Sequence, residues 1–263
     1  MEDKYDANFK AEMIKLRSKI DIINLRALMI FREYGETIDE ILKDTFKEIE
    51  GLRVLYIKVK SPVYLPCNFS KLIHLRCLKI TLSRVMSEVT LPRTLSRFYH
   101  LILLELRDWR ASAKLPKDIS RLINLHHLLT EDELHSSVSE VGNMKCLKEL
   151  KKFHVKKESI GFELSELGKL TELGGELKIY NLEKVATKEE AMEAKLVSKG
   201  DLKKLKLHWG DEQYRGTFSN DLDGTTELPN ILDGLEPHPN LQPLAIKGVV
   251  QSALQVGCVV TLA

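Results

Sequence analysis

Hydrophobic residues recur along this chain at offsets that repeat roughly every 25 residues. Between positions 65 and 130 the same arrangement occurs three times. The leucine of a Leu-Pro pair stands ten places before an anchor leucine, and other apolar residues stand six and three places before the anchor and three places after it. The three anchors are Leu75, Leu101 and Leu125. Such self-similarity indicates a stack of one supersecondary unit that cannot bury its apolar side alone.

The series extends in both directions from these three copies. We assign nine anchors, at Leu25, Leu52, Leu75, Leu101, Leu125, Leu150, Gly174, Leu202 and Leu241. The first seven intervals run from 23 to 28 residues and the last is 39, so all but the last fall within the range of leucine-rich repeats. Gly174 replaces the leucine beside Leu173, and we interpret this as a one-residue slip that leaves Leu177 and Ile179 facing inward.

Each anchor begins LxxLxL or a near copy, in which the fourth and sixth residues alternate with polar ones. That alternation predicts a short strand with one buried face. The segment before the anchor returns on the other side and covers that face, and proline begins it where a missing N–H costs least. The predicted fold class is therefore α/β: a leucine-rich-repeat solenoid, a curved horseshoe with short parallel strands on its concave face and helices or irregular turns on its convex face.

This register predicts the environment of individual side chains. Alternate residues of one strand must point to opposite faces. The residues expected to be buried are Leu78, Ile80, Leu104, Leu106, Leu205 and Leu207, and those expected to be exposed are Lys79, Glu105 and Lys206.

The pattern divides the chain into three parts. Residues 1–23 are predicted to form an amphipathic helix that leads into the repeats, because their apolar residues share one helical stripe. Residues 24–248 carry the repeat domain of about nine repeats, with a polar insertion over 210–229 that is typical of a loop. Residues 249–263 form an apolar tail that fits no repeat, which we expect to be disordered or to derive from a truncation.

A helix is also predicted between the seventh and eighth repeats, over residues 187–198. Thr187 and Glu190 have the T-x-x-E spacing of a capping box, and the residues that follow favour helix.

Composition and charge exclude several kinds of function. Forty Lys and Arg against 38 Asp and Glu give a net charge of +2, which does not suggest a nucleic-acid or membrane binder. The first residues carry acids and no apolar core of a secretory signal, and four scattered cysteines suggest neither zinc nor a disulfide framework. We expect a cytoplasmic protein with reduced thiols.

Candidate chemistry is sparse. No GxSxG or HExxH motif occurs, so we predict no enzyme activity, no catalytic residues, no cofactor and no metal site. Four of the eight histidines, His74, His100, His126 and His127, are interpreted as polar fillers of repeat positions, and Trp109 and Trp209 as core or rim residues.

One surface pattern is more informative. Over the sixth to eighth strands the positions that should face the open side turn basic: Lys152, His154, Lys156, Lys178, Tyr180, Lys204, Lys206 and His208. Adjacent strands lie ~4.8 Å apart, so these side chains would form a nearly continuous positive strip. Lysines that merely solubilise the strand surface would give the same pattern. The alternative is a docking face for an acidic protein surface.

Residues 153–209 carry a more specific signature: GELKIYNLEKV, then an EEA-rich helix, then LKKLKLHW. This segment resembles the leucine-rich region of plant intracellular disease-resistance proteins, the coiled-coil, nucleotide-binding, leucine-rich-repeat immune receptors. ILDGLEPHPNLQPLAIKG, over 231–248, is similar to the next repeat of that family. The resemblance runs from about Asn24 to Gly248.

The resemblance implies a non-catalytic protein-binding module that acts in the defence response. Its implied partners are a pathogen effector or a guarded host protein, and the nucleotide-binding module of the receptor. No GxxxxGK[ST] phosphate loop occurs here, so we expect the recognition half of such a receptor without its switch. The alternative is a leucine-rich-repeat substrate adaptor of a ubiquitin ligase, for which the single N-terminal helix is too little.

Overall fold

The computed structural model describes residues 7–8, 11–15, 18, 22–34, 36–59, 71–82, 89–109, 113–210, 228–239, 241, 244–247 and 259–260. The chain forms two compact units, Met1–Ser137 and Val138–Ala263. Most of the predicted N-terminal helix, the polar insertion and the apolar tail lie outside the described residues, so those three predictions stay predictions.

The first unit is built on a five-stranded parallel sheet whose strands follow chain order. Its main strands are β1 (Ala27–Tyr34), β2 (Val54–Val59), β3 (Cys77–Leu82), β5 (Leu103–Arg107) and β7 (His127–Leu129). The connections contain α1 (Glu36–Glu48), the short pair β4 (Val89–Thr90) and β6 (Ala113–Lys114), the 3₁₀ turns Arg93–Arg97 and Ile119–Arg121, and α2 (Asp132–His135). Each strand is thus followed by a return segment, as a stacked repeat requires.

The second unit contains another five-stranded sheet. Its parallel strands are β8 (Lys152–His154), β9 (Gly175–Tyr180), β10 (Leu202–His208) and β11 (Leu244–Lys247), and β12 (Val259–Val260) pairs antiparallel with β11. Between these strands lie α3 (Leu164–Gly168), α4 (Lys188–Met192), α5 (Leu228–Gly234) and the 3₁₀ turns Leu182–Lys184 and Leu196–Ser198. The part of the chain that the structure describes contains no helix that is long and apolar enough to cross a membrane.

The predicted strand register is confirmed. A strand follows each of the nine anchors, and the six inward-facing residues Leu78, Ile80, Leu104, Leu106, Leu205 and Leu207 are at most 1% exposed. The arms before the anchors supply the other wall of the core, for example Leu42, Phe46 and Ile49 before Leu52. The α/β leucine-rich-repeat fold class is therefore correct.

One of the predicted exposures is wrong. Glu105 is only 4% exposed, because Lys79 on the neighbouring strand and Arg107 on its own strand lie over its carboxylate. The Lys79 Nζ to Glu105 Oε2 distance is 2.8 Å. Burial alone would raise the pKa of Glu105, but hydrogen bonds from Lys79 and Arg107 outweigh it and hold that pKa below its ordinary value. Lys79 and Lys206 are partly exposed, with 39% and 35% of their side-chain surfaces accessible.

The one-residue slip at the seventh repeat is confirmed. Leu202 pairs with Gly175 and Lys204 with Glu176, so Lys203 has no residue opposite it on β9. Beyond this irregularity the pairing is regular, and Leu177 and Ile179 are fully buried. Gly175 has φ +74°, a left-handed conformation that glycine adopts without a steric penalty.

The capping box at Thr187 is also confirmed. The backbone N–H of Glu190 donates to Thr187 Oγ1 at 3.1 Å, and the Glu190 carboxylate accepts from the N–H of Ala186 at 2.8 Å. The α-helix that this cap begins is short, Lys188–Met192, and a separate 3₁₀ turn follows it.

We expect Thr187→Ala to lower the free energy of unfolding by about 1 kcal/mol, because the first helical turn loses its side-chain acceptor. Thr187→Ser keeps that acceptor and is the matched control. Chemical denaturation of the two variants measures the difference. Equal stability of the two variants would show that the cap contributes nothing.

Candidate functional site

The open face of the second sheet brings the predicted basic residues together. Strand register places Lys178 opposite Lys152 on one side and opposite Lys206 on the other. These three lysines therefore form one row across β8, β9 and β10, which we call the lysine row. Lys204 lies one row below it, opposite Glu176.

A second row, parallel to the first, is aromatic. It consists of His154, Tyr180 and His208, and we call it the aromatic row. The Tyr180 ring centroid lies 4.8 Å from that of His154 and 4.2 Å from that of His208, with the latter pair stacked at 20°. Lys152 Nζ is 5.2 Å from the Tyr180 centroid, close enough for a cation–π contact.

The residues of these rows differ sharply in how much of their surface is exposed to solvent. Lys152 and Tyr180 are each only 3% exposed, whereas Lys178, Lys206, His154 and His208 are half-buried and Lys204 is exposed. Lys152 and Tyr180 thus support the surface from below and present little area to a partner. The sequence placed all eight residues on one face but could not show that two of them are covered.

The charge of this face is positive but partly compensated. Glu176 accepts a hydrogen bond from Lys206 at 2.6 Å, and that bond outweighs the opposing effect of burial and keeps the pKa of Glu176 below its ordinary value. Five lysines (152, 156, 178, 204 and 206) against one ionised glutamate leave a formal charge of 5 − 1 = +4.

Lys156 lies beyond the end of β8, apart from the two rows. Its Nζ is 3.8 Å from the centroid of the Phe162 ring. Burial, assisted by the nearby charge of Lys184, lowers the pKa of Lys156. Its contact with Phe162 makes it a packing residue at the edge of the face.

The histidines of the first unit also contact one another. The His74 and His100 rings are 6.2 Å apart and nearly parallel, and those of His126 and His127 are 6.5 Å apart. Among the residues that the structure describes, no three His, Cys, Asp or Glu side chains are grouped so that they could hold a metal ion.

Comparison with known proteins identifies a family of repeats and several named relatives to which this chain is similar. Residues 164–254 match the R13L1/DRL21 family of leucine-rich repeats. Disease resistance protein RGA2 of Solanum bulbocastanum is 37% identical over 107 residues, which cover 41% of this chain and 10% of that protein. The putative disease resistance protein RGA1 of the same species is 35% identical over 116 residues, which cover 44% of this chain and 10% of that protein.

The repeats of this chain are similar to those of plant disease-resistance proteins. The sequence resemblance is thereby confirmed for the repeat region. The leucine-rich-repeat chain spans about a tenth of the length of the relatives it matches. A leucine-rich-repeat protein of Leptospira interrogans aligns over 75% of this chain and 52% of its own at 18% identity, with a TM-score of 0.40.

A second basic group, in the first unit, was not anticipated from the sequence. Arg26, Arg53 and Arg76 each follow an anchor leucine directly, so they occupy the same position in three successive repeats. The recurrence is visible in the sequence when the repeats are aligned by their anchors. It is missed when only the third, fifth and seventh positions of each repeat are compared.

Proposed function

We propose that this leucine-rich-repeat chain is a non-enzymatic recognition module of a plant immune receptor that binds a protein partner in the cytoplasm. The names of its relatives and the family of its repeats support a role in disease resistance. They also favour this proposal over a ubiquitin-ligase adaptor. Strands β9, β10 and β11 lie within the segment that matches the family, so that segment contains most of the candidate surface, including Lys178, Tyr180, Lys206 and His208.

The observation that carries the proposal is the pairing of the lysine row with the aromatic row. Lys178 and Lys206 project beside His154 and His208, and the buried Tyr180 and Lys152 hold the rings in place. Such a face suits a partner whose acidic side chains meet the lysines while planar or apolar groups lie against the rings. Interaction surfaces of repeat proteins commonly use the sheet side of the stack.

Two partners are consistent with this chemistry. One is the nucleotide-binding module of the same receptor, which the repeats would hold inactive. The other is a pathogen effector or a guarded host protein. Both would require an acidic surface, so electrostatic attraction should steer association in either case.

We expect the triple variant Lys178→Glu, Lys204→Glu and Lys206→Glu to associate about tenfold more slowly with the nucleotide-binding module of the same receptor, supplied as a separate chain, at low salt. An exposed ion pair contributes only ~0–1 kcal/mol, so the effect should appear in the association rate more than in the dissociation rate. The rate for the wild-type chain should fall as salt rises, because screening shortens the range of the attraction. Surface plasmon resonance at two salt concentrations measures both effects.

The matched control reverses Lys145, Lys148 and Lys151, three exposed lysines of the same unit that lie outside the two rows. It makes the same change in net charge. If the two triple variants associate equally fast, or if the wild-type rate is independent of salt, the lysine row is a solvated strand surface and the proposal is wrong.

A further inference from the structure

The three arginines of the first unit form a ladder at one end of the sheet. The N–H of Arg53 donates to the carbonyl of Arg26, and the N–H of Arg76 donates to the carbonyl of Arg53, both at 2.8 Å. Their backbones are therefore neighbours at the ~4.8 Å spacing of adjacent strands. Three permanent cations consequently rise side by side from one edge of the unit.

A groove of about 380 Å³ lies along this ladder. Its walls come from four successive repeats and combine cationic, imidazole and backbone groups, with the lining Ile23, Asn24, Arg26, Glu50, Gly51, Arg53, His74, Arg76 and His100. This volume is at the small end of the range for ligand pockets. A compact ligand fits it better than a protein surface does.

The part of the chain that the structure describes compensates the cations of the groove only in part. Within the described residues none of the three guanidiniums forms an ion pair, and Arg26 instead donates from Nη1 to the carbonyl of Gly51 at 3.1 Å. Three arginines against Glu50 leave a formal charge of 3 − 1 = +2 with neutral histidines. By contrast, Glu105 and Glu176 on the sheet faces each hold a lysine at ion-pair distance.

We propose that this groove binds a compact, soluble ligand that carries two or more phosphate groups. A guanidinium donates a fork of N–H groups that matches phosphate oxygens. A phosphate monoester brings three acceptor oxygens and close to two charges, so one group can bridge two neighbouring arginines, which a planar carboxylate does less well. Three arginines in line provide two such bridging positions, so a ligand with linked phosphates should be preferred to a single phosphate.

In this groove side chains would bind the phosphates, whereas in a glycine-rich phosphate loop the backbone N–H groups do so. The groove belongs to the first unit, and the proposed protein-binding face belongs to the second. His74 and His100, with parallel rings on adjacent repeats, place additional N–H donors along its wall. The inference is thus independent of the proposed function, and either can fail alone.

Isothermal titration calorimetry of the full chain with inorganic tripolyphosphate tests the proposal. We expect saturable binding at one site, with orthophosphate and citrate each at least tenfold weaker. The double variant Arg53→Gln and Arg76→Gln should lose at least tenfold in affinity for tripolyphosphate. Arg97→Gln with Arg121→Gln, two exposed arginines in 3₁₀ turns of the same unit, should leave the affinity unchanged.

A variant that alters no charge sharpens the test. A Cβ at Gly51 would lie 1.5 Å from Arg26 Nη1, so Gly51→Ala must displace that guanidinium. We expect a severalfold weaker affinity for tripolyphosphate, with unfolding temperatures checking that each variant is folded. Absence of saturable binding, equal losses in the two arginine pairs, or citrate binding as tightly as tripolyphosphate would overturn the proposal.

Discussion

Replacing Trp109 by alanine is expected to lower the free energy of unfolding by about 3–5 kcal/mol. Trp109 is fully buried, and its Nε1 donates to the carbonyl of Ile80 at 3.2 Å. The side chain follows β5 but bonds to β3, so it joins two consecutive repeats. Its loss would leave both a large cavity and an unused acceptor. The sequence placed Trp109 in the core or at the rim, and the structure shows it in the core.

Chemical denaturation followed by far-ultraviolet circular dichroism measures this loss. Trp109→Phe separates the two contributions, because it keeps an aromatic ring in the site but removes the N–H donor. Ile123→Ala, which truncates an exposed residue of the same unit, is the control and should change stability by less than ~0.5 kcal/mol. A Trp109→Ala variant as stable as the Ile123→Ala variant would contradict the assigned role.

The second large effect is expected at Lys199, which occupies a position that most repeats give to an apolar residue. It lies three places before the anchor Leu202, where the other repeats have residues such as Leu122 and Leu147. The side chain is 1% exposed, and Nζ donates to the carbonyls of Leu167 at 2.7 Å and Leu170 at 2.8 Å. A buried lysine at this slot stabilises the preceding repeat through those two acceptors.

The two acceptors differ in their other hydrogen bonds, because the Leu167 carbonyl also accepts from the backbone N–H of Leu170 at 3.1 Å. In five repeats the anchor N–H bonds to the carbonyl three places before it, at 2.9 to 3.1 Å, as Leu125 does with Leu122. Within the described residues Leu173 makes no such bond to Leu170. Lys199 therefore supplies the Leu170 carbonyl with a hydrogen bond in place of the backbone bond that five other repeats make.

We expect Lys199→Met to lower the free energy of unfolding at about pH 10, because methionine offers no donor to the two carbonyls and each lost hydrogen bond is worth about 0.5–1.5 kcal/mol, with a further cost for each buried acceptor left without a partner. Lys203→Met, at an exposed position two residues before Leu205, is the matched control. Denaturant titration of both variants gives the difference. If methionine at position 199 is tolerated as well as at position 203, then apolar packing in that slot compensates fully for the lost bonds.

The same residue should make stability depend on pH in the alkaline range. Burial, with a smaller contribution from the charge of Lys195, lowers the pKa of Lys199 from 10.5 to about 8. Between these two values the unfolded chain binds more protons than the folded chain, so the contribution of Lys199 to stability rises with pH and is lost as pH falls through about 8. The stability advantage of wild type over Lys199→Met should therefore grow between neutral pH and about pH 10. A constant difference would contradict the lowered pKa.

The sequence predicted to which face of the sheet each strand residue points. It did not predict how much of an outward-facing side chain is buried by its neighbours. Alternation along LRCLKI determines that Leu78 and Ile80 share the buried face, since consecutive side chains of a strand point to opposite sides. The burial of Glu105 depends instead on the long side chain of Lys79, 26 residues earlier. The spacing of residues within one repeat does not indicate which side chain of a neighbouring repeat will cover Glu105.

In the candidate site, too, residue spacing predicted some features and left others undetermined. Anchor spacing aligned Lys178 with Lys206, which both stand four residues after their anchors. It placed Lys152, two residues after Leu150, opposite Glu176, whereas the structure pairs Lys152 with Lys178. It did not reveal that Tyr180 is enclosed by two imidazoles and an ammonium, which depends on rotamers. Lys199 stands three places before its anchor, where most repeats have an apolar residue, but spacing alone does not identify the carbonyls of Leu167 and Leu170 as its acceptors.

Gly174 and Gly175 also bear on how such a chain can change its length during evolution. A Cβ at Gly174 would approach the carbonyl of Asp201 to 2.9 Å, and Gly175 has a positive φ, so this junction depends on glycine at both positions. Elsewhere, one residue inserted between anchor and strand would exchange the two faces of that strand and expose its leucines. Here the irregularity is confined to Lys203, which has no residue opposite it on β9, and Leu177 and Ile179 remain buried. In this chain the glycine pair thus lets one repeat differ in length from its neighbours while its alternation of buried and exposed residues is retained.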